Sequence, residues 1–239
     1  MLSTIIYRLY KLIKNAPIDE VGRAYQKLIE KIISDGELAI DNREFYTPTC
    51  ITDLMADSIV SDRTTKVFDP ICGSGNSLVS AKTISNCNVI GEESNINYYN
   101  ICKTNLLLNN IDNEKIRFNE NDFCDLREKA DVIMMNPPFS ERNWISHIRE
   151  EDKNLLREYD IKPTALGDYV FLLLALEKLS EDGKMAIVMP HGALFRNGET
   201  GVRKKLIEKN YIKAIIGLPE NLFLHNRVSV VILILSKEK

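Results

Sequence analysis

From Lys66 to the C-terminus, short apolar runs rich in Val, Ile and Met alternate with stretches of helical length. Short runs bounded by turn residues read as buried strands, and the longer periodic stretches between them as helices. The strands fall at 66–69, 88–92, 115–119, 131–135, 184–189, 212–218 and 228–236, with helices at 76–85, 95–109, 168–180 and 201–210. Few architectures satisfy such alternation. A mostly parallel seven-stranded sheet, with right-handed crossovers and helices on both faces, is the α/β solution. The last link lacks a helix, which lets the final strand run antiparallel.

Upstream, the pattern is helical. Residues 1–14, MLSTIIYRLYKLIK, place Ile5, Ile6, Leu9, Leu12 and Ile13 at helical spacing with basic residues between them. A secretory segment has an unbroken apolar core, so this reads as an amphipathic helix packed on the body of the protein. A second amphipathic segment, VGRAYQKLIEKII, precedes the polar break SDGELAIDNRE. We therefore divide the chain into a helical extension, 1–40, and an α/β domain, 41–239. Thr47-Pro48 reads as the start of the domain's first helix, with Thr as N-cap and Pro at the first helical position.

The net charge of −3 supplies no general attraction for a polyanion. The five cysteines, Cys50, Cys72, Cys87, Cys102 and Cys124, form no CxxC pair. They read as buried or idle thiols of a reducing cytosol, and neither a metal site nor a disulfide framework is expected. The longest apolar run, near 228–235, is too short to span a bilayer, so no membrane association is expected.

Four successive strands end in residues that carry chemistry. The first leads into VFDPICGSGNSL, which turns on Gly73 and Gly75 and opens a helix. Glycine lets a ligand approach the backbone, and the helix N-terminus offers free N–H groups. The second strand ends at Glu92-Glu93, where an acid can meet ribose hydroxyls. Asp122 follows the third, and Asn136-Pro137-Pro138-Phe139 ends the fourth. Two prolines cannot continue a central strand, so the loop is abrupt and stiff. Ligands of open α/β sheets bind at this carboxyl edge. There is no GxxxxGK[ST] and hence no P-loop.

DPICGSG, GEE, ND and NPPF, in that order, resemble the motifs of S-adenosylmethionine-dependent N6-adenine DNA methyltransferases. REFYTP upstream resembles the modification subunit of type I restriction–modification systems. So do GDYVFLLLALEKLSEDGKMAIVMPHGALF, VRKKLIEKNYIKAIIGLPENLF and the final β-run downstream, and the resemblance runs from about Pro17 to Lys239. Ile71 and Asn76 depart mildly from it, standing where Ala and Gly are often seen. The resemblance implies a Rossmann-like class I methyltransferase fold and S-adenosyl-L-methionine as cofactor. Phe45, Tyr46, Thr47, Pro48 and Thr49 would line its methionine end. Asp69, Gly73, Ser74 and Gly75 would form the turn beneath it, Glu93 would hold the ribose, and Asp122 the adenine amine.

It also implies a role for the NPPF loop. The exocyclic N6 of adenine is a poor nucleophile because its lone pair is delocalised into the ring. Two acceptors taking its hydrogens, the Asn136 side-chain oxygen and the Pro137 carbonyl, would favour a tetrahedral nitrogen, with Pro138 fixing the carbonyl. Phe139 would stack on the base once flipped out of double-stranded DNA. Two alternatives stand beside this reading: the same loop acting on another planar amine (a protein glutamine or an rRNA guanine), and a catalytically idle assembly subunit.

Other residues receive plainer readings. Arg142, Arg149, Lys153 and Arg157 interleave with acids, as on a solvated, salt-bridged surface. Trp144 reads as a hydrophobic anchor, Cys72 as packing and Asp168 as a helix cap. His191 and His225 have no partner at metal-ligand spacing. Only Lys237, Glu238 and Lys239 follow the last strand, so no DNA-reading domain is expected there; the resemblance implies a separate specificity subunit that reads the sequence, together with a second modification subunit and a restriction subunit.

Overall fold

The computed structural model describes residues 14, 16–34, 46–120, 123–125, 129–223 and 228–238. The expected first helix, apart from Lys14, and the 40/41 division lie outside the described residues. In chain order the elements are α1 (Ile18–Ser34), α2 (Thr49–Ile59), β1 (Lys66–Asp69), α3 (Asn76–Ile84), β2 (Asn88–Glu93), α4 (Ile96–Leu108), β3 (Ile116–Phe118) and β4 (Ala130–Met135). Then come α5 (Lys153–Glu158), α6 (Asp168–Glu177), β5 (Leu179–Pro190), α7 (Thr200–Glu208), β6 (Ile212–Gly217) and β7 (Val230–Ser236). The strands form one seven-stranded sheet in the order β3-β2-β1-β4-β5-β7-β6. All neighbours run parallel except β7, which is antiparallel to both β5 and β6. The last link, read without a helix, thus joins the antiparallel pair β6 and β7, as its sequence suggests.

The centre of the sheet is buried on both sides because β4, β5 and β7 carry unbroken apolar runs (132–135, 185–190 and 230–235). Along β4, Ile133 and Met135 point to one face and Val132 and Met134 to the other, all four buried. The first face packs on α5, α6 and α7; the second packs on α2, α3 and α4. Helix α6 is buried from Asp168 to Leu176, which is why DYVFLLLALE has no polar stripe. Helix α1 lies against α4 and seats Ile29 on Tyr46, so part of its apolar face is spent on this chain's own body.

Three local expectations are corrected. The fifth strand begins at Leu179, and α6 stops at Glu177, short of residue 180. Leu179 pairs with Ala130 ahead of a register shift, so pairing across the sheet captures Leu179 and Ser180 from the expected helix, along with the polar residues 181–183 before the expected strand. Helix α2 starts at Thr49, with Pro48 in the cap position at ψ 138° and no side-chain cap bond; Thr47 is not the cap. At α6 the cap position belongs to Gly167, and Asp168 is the first helical residue, its side chain turned to other partners.

At the amino edge of the sheet, Asp131 ties β4 to β1. One of its carboxylate oxygens accepts from Thr65 N (2.9 Å), Thr65 Oγ1 (2.6 Å) and Lys66 N (3.0 Å). Partial burial pushes this carboxyl up, but the Thr65 hydroxyl and the two N–H groups outweigh it and hold it below the ordinary carboxylate value. A lowered folded value means the stabilisation is complete above the unfolded value and disappears as pH falls through the folded one. Asp131→Asn is therefore expected to lower stability by about 1 kcal/mol at neutral pH, a figure reduced for solvent screening. Denaturant melts should show that difference shrinking to nothing as the pH drops below the ordinary Asp range.

Candidate active site at the carboxyl edge of the sheet

The strand order reverses between β1 and β4, and the two loops at that switch carry the chemistry. After β1, Asp69 folds the chain back on itself: Oδ1 accepts from Ile71 N (3.0 Å), and Oδ2 accepts from the Ser77 hydroxyl. Burial pushes its carboxyl up to about 7 against those donors. Gly73 and Gly75 both take left-handed backbone (φ 51° and 80°). At Gly75 space forbids a side chain as well, since a Cβ would sit 2.7 Å from Cys102 Sγ. Ser74 is buried, and its carbonyl accepts from Asn105 Nδ2 (2.9 Å).

A cavity of about 150 Å³ opens beside this turn, lined by Ile71, Glu92, Glu93, Asn119, Phe123 and Pro138 among others. The two acids on β2 serve it differently. Glu93 braces the glycine turn, accepting from Gly73 N (2.9 Å) and Asn95 N (2.8 Å). Glu92 accepts from Asp125 N (2.9 Å) through one oxygen, and its other oxygen is buried without a partner. Burial raises both carboxyls. Two desolvated acids lining one cavity, Glu92 and Glu93, favour a ligand that brings hydroxyl donors or positive charge. Asp122 and Phe45 lie outside the described residues; Glu120 and Phe123, on either side of residues 121–122, line the cavity.

Across the switch, β4 ends at Met135 and the NPPF loop begins. Asn136 Nδ2 donates to Thr47 Oγ1 (3.0 Å), whereas Asn136 Oδ1 is buried with no partner. Pro137 is buried, and Phe139 packs edge-to-face on Phe223 (centroids 5.7 Å apart, 86° between planes). Of the segment 45–49, Thr47 meets the loop directly, Tyr46 is buried beneath α1, and Pro48 and Thr49 open α2. The structure thus brings together Thr47, Asp69, Gly73, Ser74, Gly75, Glu93 and the NPPF loop along one edge.

Sequence reasoning missed the residues that hold these pieces together. Asn76 Nδ2 donates to Thr47 O (2.9 Å), and Asn76 Oδ1 accepts from Asn105 Nδ2 (3.1 Å). The available signal was Asn105, a polar residue at helical spacing with Tyr98 and Cys102 on the buried stripe of α4. Phe223, from LPENLF, supports Phe139 and was legible only as part of a longer resemblance. Trp144 is the anchor expected, buried with Nε1 donating to Ala165 O (2.7 Å). Arg149 is paired with Asp125, Glu151 and Asp152, the salt-bridged surface that the mixed charges imply. Cys72 is buried beside Cys102, in packing. No helix among the described residues is long and apolar enough to cross a membrane.

Known proteins share this arrangement. The signature of the N-6 DNA methylase family matches residues 16–239. The methylase subunit of the type I restriction enzyme MpnII from Mycoplasma pneumoniae is 31% identical over 93% of this chain and 45% of its own length. The methyltransferase subunit of a type I restriction–modification system from Streptococcus thermophilus superposes with a TM-score of 0.77 at 30% identity, over 92% of this chain and 50% of its own. A Listeria monocytogenes protein assigned to the class I S-adenosylmethionine-dependent methyltransferases superposes at 0.74 with 15% identity, over 98% and 74% of the two chains, and shows the fold. The chain spans about half the length of the curated relatives it matches. With the signature covering nearly all of its sequence, and the sheet, the glycine turn and the NPPF loop in place, this chain belongs to the N-6 DNA methylase family.

Proposed function

We propose that this chain transfers the methyl group of S-adenosyl-L-methionine to the exocyclic N6 of adenine in DNA, as the modification subunit of a type I restriction–modification system. The observation that carries this reading is the half-satisfied amide of Asn136. Its nitrogen is committed to Thr47, so its orientation is set, and its oxygen is left as a buried acceptor without a donor. Unpaired buried acceptors are uncommon and costly, and one at a strand end calls for a ligand donor. An exocyclic amine supplies it.

When bound, S-adenosylmethionine supplies an electrophilic methyl on sulfur. Glu93 would accept from its ribose and Asp122 from its adenine amine, with the Asp69–Gly75 turn beneath and residues 45–49 toward its methionine end. On the substrate side, Asn136 Oδ1 and the Pro137 carbonyl would each take one N6 hydrogen. Pro137 and Pro138 fix the backbone, so the acceptors need no reorganisation as positive charge develops on nitrogen. Phe139, held edge-on by Phe223, would offer its face to the flipped base. Proton loss after transfer needs no covalent intermediate on the protein. The assembly partners would be a specificity subunit that reads the sequence, a second modification subunit and a restriction subunit. Relatives named as methylase subunits of type I restriction enzymes support a place in such an assembly.

An assay offering labelled S-adenosylmethionine with DNA, ribosomal RNA and a glutamine-containing protein should place the label on DNA adenine alone. Label on RNA or protein would refute the substrate. Asn136→Ala is expected to lose about a hundred- to a thousandfold in transfer rate while cofactor affinity stays nearly unchanged. Calorimetry on Glu93→Ala and Glu92→Ala separates the two acids: Glu93→Ala should weaken cofactor binding far more, and equal small effects would remove Glu93 from the ribose.

A further inference from the structure

Ser140 follows the NPPF loop directly and takes a left-handed backbone conformation (φ 55°), unfavourable for a residue with a side chain. It is held there at two points. Its N–H donates to Asp168 Oδ1 (2.9 Å), and its hydroxyl accepts from Arg196 Nη1 (3.2 Å). Asp168 and Arg196 are themselves ion-paired through Asp168 Oδ2 and Arg196 Nη2, and the Asp168 side chain is only 1% exposed. Arg196 Nε donates to Glu199 Oε2 (3.0 Å), a second buried carboxylate. The next residue is tied to the same place, since Glu141 O accepts from Gly167 N (2.8 Å).

We propose that Asp168 and Arg196 are positioning residues for the catalytic loop, setting where the Pro137 carbonyl stands relative to Asn136. Neither touches the reacting atoms. The loop is anchored at one end by the Asn136–Thr47 bond and at the other by Ser140, with two prolines of fixed φ between the anchors. A segment so constrained has little freedom once both ends are held, so moving the Ser140 end displaces the carbonyl between them. The pair also joins the start of α6 to the turn after β5, so the loop's position registers the packing of that whole side of the sheet. Buried, multiply bonded ion pairs have their best-attested use in such register-setting, rather than in stability. The inference rests on the N6-adenine reading of the NPPF loop.

The test uses the full chain in the assembly in which it is active, as wild type, Arg196→Ala, Arg196→Lys and Asp168→Asn. Three quantities are read: the single-turnover methyl-transfer rate at saturating cofactor and DNA, the calorimetric Kd for S-adenosylmethionine, and amide exchange across residues 136–141. Arg196→Ala should slow transfer about 10- to 100-fold, as expected for a small misplacement of a reacting group. Its cofactor Kd should stay within about twofold, and faster exchange should be confined to Ser140 and its neighbours. Arg196→Lys should recover part of the rate, because one ammonium replaces only part of the fork that spans Asp168, Ser140 and Glu199. Asp168→Asn keeps an acceptor for Ser140 but loses the ion pair, and should fall between the two. A full rate in Arg196→Ala overturns the proposal. So does a loss of rate accompanied by equal losses in cofactor affinity and melting temperature, the mark of a residue that only supports the fold. If the wild type itself moves no methyl to DNA adenine, the functional reading fails separately. The exchange arm still decides this proposal: unchanged Ser140 exchange in Arg196→Ala overturns it, and faster exchange supports it.

Discussion

The amide of Asn136 has two ends, and only one finds a partner within the chain. Thr47 takes the nitrogen, leaving the oxygen as a buried acceptor at the end of a central strand. Much of the surrounding structure serves that asymmetry. Thr47 is held through its carbonyl by Asn76, Asn76 by Asn105, and Asn105 also grips the glycine turn through Ser74 O. The cavity side and the acceptor side of the edge are thus parts of one hydrogen-bonded unit. A shift in the glycine turn reaches Asn136 through two side-chain amides and a threonine.

The topology makes this economical. Reversal of strand order between β1 and β4 opens a crevice without any domain boundary, and both loops spring from strands that are buried on both faces. Rigid strands fix where the loops begin, and glycine and proline fix how they leave. The site carries a cost in return. Asp69, Glu92 and Glu93 are buried acids whose carboxyls are raised chiefly by desolvation, and one Glu92 oxygen has no partner. Such groups do not stabilise a fold. They are the arrangement expected where a ligand completes the hydrogen bonding.

Much of this was legible in the sequence, for identifiable reasons. Strands buried on both faces carry unbroken apolar runs, so β4 and β7 stand out, and the missing helix before β7 gave its direction. Gly73, Gly75, Pro137 and Pro138 mark their loops because their backbone chemistry is unlike that of other residues. Less visible were polar side chains whose partners are distant in sequence. Thr47 looks like a helix cap because capping is its commonest local use, yet its hydroxyl meets a residue 89 positions away. Asp168 looked like a cap for the same reason, and its partners are 28 positions off on either side. Leu179 and Ser180 read as the end of a helix because they continue the periodic run LLLALEKLS; only the pairing of Leu179 with Ala130 makes them the start of a strand. Local propensity carries no information about such contacts.

The central claim is that the free oxygen of Asn136 and the Pro137 carbonyl receive the two hydrogens of an adenine amine. A crystal structure of the active assembly, with a non-reactive cofactor analogue and duplex DNA containing the modification site, tests it most directly. The account predicts an extruded adenine with N6 about 2.7–3.2 Å from both oxygens. It also predicts the Asn136–Thr47 bond retained and the Phe139 ring against the base. An adenine bound with N6 turned away from these acceptors, or Asn136 rotated so that its nitrogen faces the base, would contradict it.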